Sequence, residues 1–153
     1  TIHRRENVDN KVNLRKICSV INSLSKKHHI VFPVHPHTRK RLEEFGIRVN
    51  ADLCDPASYV ELLKILAKSN LAITDSGGLQ KEVYWMGRPC ITLLERIGWV
   101  ETVKEKANFL FPLSKPIKLE KIEKISRLDI RPKHGLFGYG NASKKIVSTL
   151  LNQ

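Results

Sequence analysis

The sequence predicts an α/β domain built on a doubly wound parallel sheet, and three observations predict it. Strand-like and helix-like segments alternate at short intervals, the pattern of parallel strands joined by right-handed crossovers. The apolar runs around Val31 and Ile73 lack polar alternation, as expected of strands covered on both faces. Leu71-Ala72-Ile73 halts at Thr74-Asp75-Ser76-Gly77-Gly78, and a helix-compatible stretch then runs to Gly87, the outline of a strand, a tight turn and a helix.

The elements follow in order. Leu14, Ile17, Cys18, Ile21 and Leu24 recur at helical spacing, so 13–26 reads as an amphipathic helix. His29 to Val34 reads as a strand, and His37 to Phe45 as a short basic helix closed by Gly46. Ile47 to Leu53 gives a weaker strand. Asp55-Pro56 has the form of an N-cap with proline at the first helical position, ahead of a helix through Tyr59 to Lys68. Strands are expected at 70–74, 89–94 and 109–111, and helices at 78–86, 99–106, 119–125 and 141–151. The fold is expected to be Rossmann-like.

Composition narrows the function classes. A chain of 153 residues supports one well-cored domain, and 41% hydrophobic with 27% charged residues is the composition of a soluble globular protein. No apolar stretch reaches the roughly 20 residues that span a bilayer, and no signal-peptide pattern opens the chain, so neither a membrane nor secretion is expected. Cys18, Cys54 and Cys90 are widely spaced in apolar settings, which reads as buried reduced thiols in a cytoplasmic protein. The net charge of +12 is scattered instead of blocked, with only 7% aromatics, and no nucleic-acid partner is expected. The start at Thr1, directly in a polar motif, suggests part of a longer protein.

In a doubly wound sheet ligands bind beyond the carboxyl ends of the strands, where the turn after Ile73 lies. Ser76, Gly77 and Gly78 would present backbone N–H groups at a helix start, where the dipole also favours an anion, and Glu82 sits one turn further in. The competing reading makes Asp75 an N-cap and the glycines mere turn formers; spacing alone leaves the two level. His3-Arg4-Arg5 follows what should be the end of a first strand, and so points toward the same crevice. Asp75-Ser76-Gly77-Gly78 also matches the nucleophile segment of trypsin-like proteases, but those are β-barrels, and no glycine precedes Ser76 by two as a nucleophile elbow needs. His35-Pro36-His37 lacks a nearby third ligand, which disfavours a metal, and His28 and His29 read as solvated.

Several motifs occur in order: Thr1-Ile2-His3-Arg4-Arg5-Glu6-Asn7, Phe32-Pro33-Val34-His35-Pro36, Asp55-Pro56 with Tyr59, Thr74-Asp75-Ser76-Gly77-Gly78-Leu79-Gln80-Lys81-Glu82, Gly87-Arg88-Pro89, and Tyr139-Gly140-Asn141-Ala142-Ser143. Together they resemble the C-terminal half of the non-hydrolysing UDP-N-acetylglucosamine 2-epimerases, over nearly the whole chain; the alternative is a nucleotide-sugar module of a GT-B glycosyltransferase or a non-catalytic binding domain. The resemblance implies the C-terminal half of a GT-B two-domain fold, a UDP-sugar substrate, no cofactor, and a homodimer in the full-length protein. It implies that Ser76, Gly77 and Gly78 bind the diphosphate, Glu82 the ribose, and Ala57 and Leu62 line the uracil pocket. His3 would be catalytic, assisting departure of the diphosphate, while Arg4 and His35 match cleft positions linked to a second, activating UDP-sugar. The acid/base carboxylates belong to an N-terminal domain absent from this chain. The sequence departs from the pattern at Leu94 to Glu101, where Trp99 stands in place of an arginine and Arg96 could substitute in part.

Overall fold

The computed structural model describes residues 1–152, which form eight helices and five strands. In chain order these are α1 (Arg5–Val8), α2 (Lys11–Leu24), β1 (Val31–Pro33), α3 (Pro36–Glu44), β2 (Asp52–Cys54), α4 (Tyr59–Lys68) and β3 (Ala72–Thr74). Then come α5 (Gly77–Trp85), β4 (Cys90–Thr92), α6 (Val100–Lys104), β5 (Asn108–Leu110), α7 (Leu119–Ile125) and α8 (Ala142–Leu151). Every strand pairing is parallel, with helices on both faces, as the alternation predicts. None of the described helices is long and apolar enough to cross a membrane.

Burial explains the layering. The apolar stripe of α2 (Leu14, Ile17, Cys18, Ile21, Leu24) packs with Phe32, Val34, Ile91, Leu93 and the α7 residues Ile122 and Ile125. A smaller cluster on the other side joins Leu66 of α4, Leu79 and Val83 of α5, Ala72 and Cys90. Ala72 and Cys90 in that cluster and Ile91 in the larger one are all buried, so the central strands are covered from both sides. β2 is an edge with Leu53 exposed, and Val31 is 38% exposed, so the two-sided cover expected there holds only from Phe32 onward.

The ladder divides into two sheets, β1-β2 and β3-β4-β5, instead of one. Ile30 O and Val34 N bond β2, so by the strand's two-residue period Pro33 faces the opposite flank, and it has no N–H to give. On β3, Ala72 and Thr74 bond the β4 side, while the Ile73 carbonyl turns the other way and accepts from the Thr1 nitrogen at 3.0 Å. Residues 1–3 therefore run along β3 where the end of a first strand is expected.

Two further expectations need correction. The cap of α4 is Ser58, not Asp55: Ser58 and Glu61 form a reciprocal capping box, and exposed Asp55 pairs with Arg39 at 3.1 Å. β2 starts at Asp52 instead of Ile47 because Asn22 of α2 claims the preceding backbone, donating to Arg48 O and accepting from Asn50 N. Helix α8 buries none of its residues, and Ile146, Val147, Leu150 and Leu151 stand exposed.

Ile17 is 1% exposed in the larger cluster. Ile17→Ala is expected to lower unfolding free energy by about 2–4 kcal/mol in urea titration, since the cavity cannot collapse between α2 and the sheet. A loss under about 1 kcal/mol would contradict a close-packed interface there.

Candidate functional site

The site begins at the carboxyl end of β3. Asp75 is fully buried, and a buried carboxylate needs donors on its oxygens. It takes the backbone N–H of His3 at 3.1 and 3.2 Å, that of Arg4 at 3.0 Å, and the Asn7 side-chain amide at 2.9 Å. The His3 ring nitrogen Nδ1 lies 3.4 Å from the same carboxylate. Arg4 Nε donates to the Asp75 carbonyl at 2.8 Å, and Asn7 also donates to Leu93 O at 3.0 Å. Asp75 is thus not an N-cap. It is the anchor that holds 3–7 against the strand ends.

The turn itself rests on a buried polar layer. Thr74, fully buried, accepts from Ser76 N at 3.0 Å, and the Ser76 carbonyl accepts from the Gln80 side-chain amide at 3.0 Å. Gln80 is in turn held by Asn108 at 2.9 Å, and Asn108 by the Thr92 hydroxyl at 2.7 Å. Helix α5 opens at Gly77 with Ser76 at the N-cap position, its hydroxyl making no cap bond. The first-turn amides of a helix have no partners within it. Both glycines have ordinary negative φ, and a Cβ at Gly78 would meet nothing within 4 Å. A Cβ at Gly77 would meet only Trp99 Nε1 at 3.9 Å and Arg4 Nη2 at 4.0 Å. Neither backbone conformation nor any neighbour among the described residues requires glycine at this turn.

His3, Arg4, Ser76 and Gly77 are therefore brought together, and the His35 ring lies 6.5 Å from that of His3. A cavity of about 400 Å³ opens beside them, lined by Arg4, Gly77, Gln80, Leu94, Arg96 and Trp99 among others. Glu82, half-buried one turn beyond Gly78, has no hydrogen-bond or ion-pair partner among the described residues. Leu62 packs against the cluster containing Leu79 and Val83, and Ala57 lies half-buried ahead of α4. No described contact links either of them to the turn.

The remaining titratable candidates have structural partners. His37 of the His-Pro-His motif bonds Asp9 at 2.7 Å, and the Arg41 hydrogen bond, with that from His37, holds the Asp9 carboxyl below its usual range. His35 accepts from its own neighbour, His37 N. His28 and His29, expected to be solvated, pair with Glu123 and Asp52 while remaining exposed. Burial pushes the Cys18 and Cys90 thiols up to about 12, which makes them inert, whereas Cys54 is only half-buried. Sequence reasoning missed Asp75, Asn7, Gln80 and Asn108. The signal for the first was present: an acid ending an apolar strand in a chain that elsewhere offers it a His-Arg-Arg run.

Comparison with known proteins places this geometry. The family model described as UDP-N-acetylglucosamine 2-epimerase matches residues 1–151. A UDP-N-acetylglucosamine 2-epimerase of Methanococcus maripaludis is 37% identical over 161 residues, covering 100% of this chain and 44% of that protein. The UDP-2,3-diacetamido-2,3-dideoxy-D-glucuronate 2-epimerase of Pseudomonas aeruginosa is 35% identical over 98% of this chain and 43% of its own length. Among solved structures, that of Methanocaldococcus jannaschii UDP-GlcNAc 2-epimerase in complex with UDP-GlcNAc and UDP superposes with a TM-score of 0.85 at 33% identity. It is covered over 44% of its length by 99% of this chain. The chain thus spans a little under half of the relatives it matches.

Replacing Asp75 by Asn would set an amide against donors that need an acceptor. Asp75→Asn is expected to lose about 2–4 kcal/mol of stability by urea denaturation, with faster amide exchange at His3 and Arg4. Unchanged exchange at those two amides would show that the carboxylate does not hold the segment.

Proposed function

The chain belongs to the UDP-N-acetylglucosamine 2-epimerase family, and from that premise we propose that it is the C-terminal, UDP-binding domain of an enzyme interconverting UDP-GlcNAc and UDP-ManNAc. The observation that carries this reading is the glycine pair at the start of α5. With no call on glycine from inside the chain, the open first turn suits a ligand whose phosphate comes too close to the backbone to tolerate a Cβ.

In this reading the diphosphate lies on the amides of Gly77 and Gly78 and on the Ser76 hydroxyl. Arg4, whose guanidinium reaches over the same turn, and His3, fixed by Asp75, add cationic and hydrogen-bonding groups. Unpartnered Glu82 accepts from the ribose diol, and Ala57 and Leu62 line the uracil side. The chemistry is loss of UDP from C1 with loss of the C2 proton, giving a 2-acetamidoglucal, then re-addition with C2 inverted. His3 favours departure of the diphosphate by hydrogen-bonding its oxygens as charge builds on them. The carboxylates that move the C2 proton come from an N-terminal domain, facing this one across the cleft of a GT-B fold in a homodimer. Arg4 and His35 border that cleft, where a second UDP-sugar would bind. A cytoplasmic role in supplying mannosamine-type sugars for polysaccharide fits the substrate.

Two measurements test the reading. By calorimetry the chain is expected to bind UDP, and no turnover of UDP-GlcNAc is expected from the chain alone; absence of binding at millimolar UDP would remove the nucleotide site. Gly78→Ala is expected to stabilise the fold by up to about 1 kcal/mol, as glycine is a poor helix former, while weakening UDP.

Glu82→Ala is expected to weaken UDP by about 1.5–3 kcal/mol and to leave inorganic pyrophosphate nearly unaffected, since pyrophosphate has no ribose. Electrostatics alone would tighten both ligands on loss of a negative charge. Unchanged or tighter UDP binding would therefore remove Glu82 from the ribose site.

A further inference from the structure

Two successive glycines at a helix start have more backbone freedom than any other pair, so an anion site built on them needs something that fixes their peptide planes. The described contacts supply two such ties, both to carbonyl oxygens. The Gln80 side-chain amide holds Ser76 O at 3.0 Å, and the Trp99 indole Nε1–H holds Gly77 O at 2.7 Å. In a trans peptide the C=O and the following N–H point in opposite directions. Anchoring Ser76 O and Gly77 O to side chains therefore aims the N–H groups of Gly77 and Gly78 away from them, toward the mouth of the turn.

The indole is itself well held. Its backbone carbonyl accepts from the Thr102 hydroxyl at 2.8 Å, and Phe137 meets its ring edge-on with centroids 6.0 Å apart. The Lys81 ammonium, on α5 one turn past Gly77, sits 3.8 Å from the ring centroid, so the same side chain also stations a cation beside the turn.

We propose that Trp99 is a positioning residue of the anion site: its indole N–H locks the Gly77–Gly78 peptide with the amide facing the ligand, so the site is set before the diphosphate arrives. This rests on the reading of the turn as a diphosphate site. Trp99 touches no ligand atom in this role; it acts through Gly77.

Trp99→Phe isolates the donor, because phenylalanine keeps a ring for Lys81 and Phe137 to pack on but has no N–H. Calorimetry of the chain with UDP, inorganic pyrophosphate and uridine reads the outcome. The variant is expected to bind UDP and pyrophosphate about tenfold more weakly, the scale of one hydrogen bond, with uridine unchanged. A merely structural role for Trp99 would weaken uridine along with the other two, and equal UDP affinity in wild type and variant would overturn the proposal. Failure of the wild-type chain to bind either phosphate ligand would instead overturn the diphosphate reading beneath it. Should Trp99→Phe not fold, ¹⁵N–¹H spectra of the wild type with pyrophosphate decide. A Trp99 indole N–H protected from exchange, with the Gly77 and Gly78 amides shifting on titration, supports the proposal. An indole N–H that exchanges freely in the bound state overturns it.

Discussion

The buried carboxylate of Asp75 sets the geometry of the whole crevice. Placing a charge inside the protein is tolerable only if strong donors meet it, and here the donors are the backbone of His3 and Arg4 and the side chain of Asn7. Satisfying one anion thereby settles where 3–7 lie, which way the His3 ring faces and how Arg4 drapes across Gly77. The strand end, the first helix and the cationic groups are one construction, and the carboxylate is its centre.

Beneath the turn the interior is polar where a doubly wound fold is usually apolar. Thr92, Asn108 and Gln80 form a chain of side-chain hydrogen bonds reaching the Ser76 carbonyl, and Trp99 supports the next carbonyl from the flank. Such a layer stabilises little in net terms but has few alternative arrangements, so it converts a flexible glycine turn into a defined one.

Much of this was legible in the sequence, and the exceptions have physical causes. Helix α2 was visible because its five buried positions recur every three or four residues, and α5 because a strand, a glycine pair and a helical stretch follow one another. Periodicity is local, so it reads well. The division into two sheets was invisible because it turns on which flank Pro33 presents, a matter of partners far along the chain. Asn22 likewise shortened β2 across 26 residues of sequence. The turn at Ser76-Gly77-Gly78 was found by its composition, whereas Asp75, Gln80 and Asn108 were missed because their importance lies in what they touch. Trp99 stands out in the sequence only as a departure from pattern, because its hydrogen bond to Gly77 spans 22 positions and exists only in the fold.

Asp75 and His3 stand 72 positions apart. Bringing such distant points together carries a closure entropy that grows only with the logarithm of the separation, yet it must be met before any of the bonds at the carboxylate can form. Helix α2 and the α4–α5 pair can nucleate from near neighbours; the crevice cannot. It belongs to the high-contact-order part of the molecule, so its assembly comes late and follows the sheet instead of guiding it. On a ribosome, residues 1–7 would wait, uncommitted, until the chain through β3 had been made.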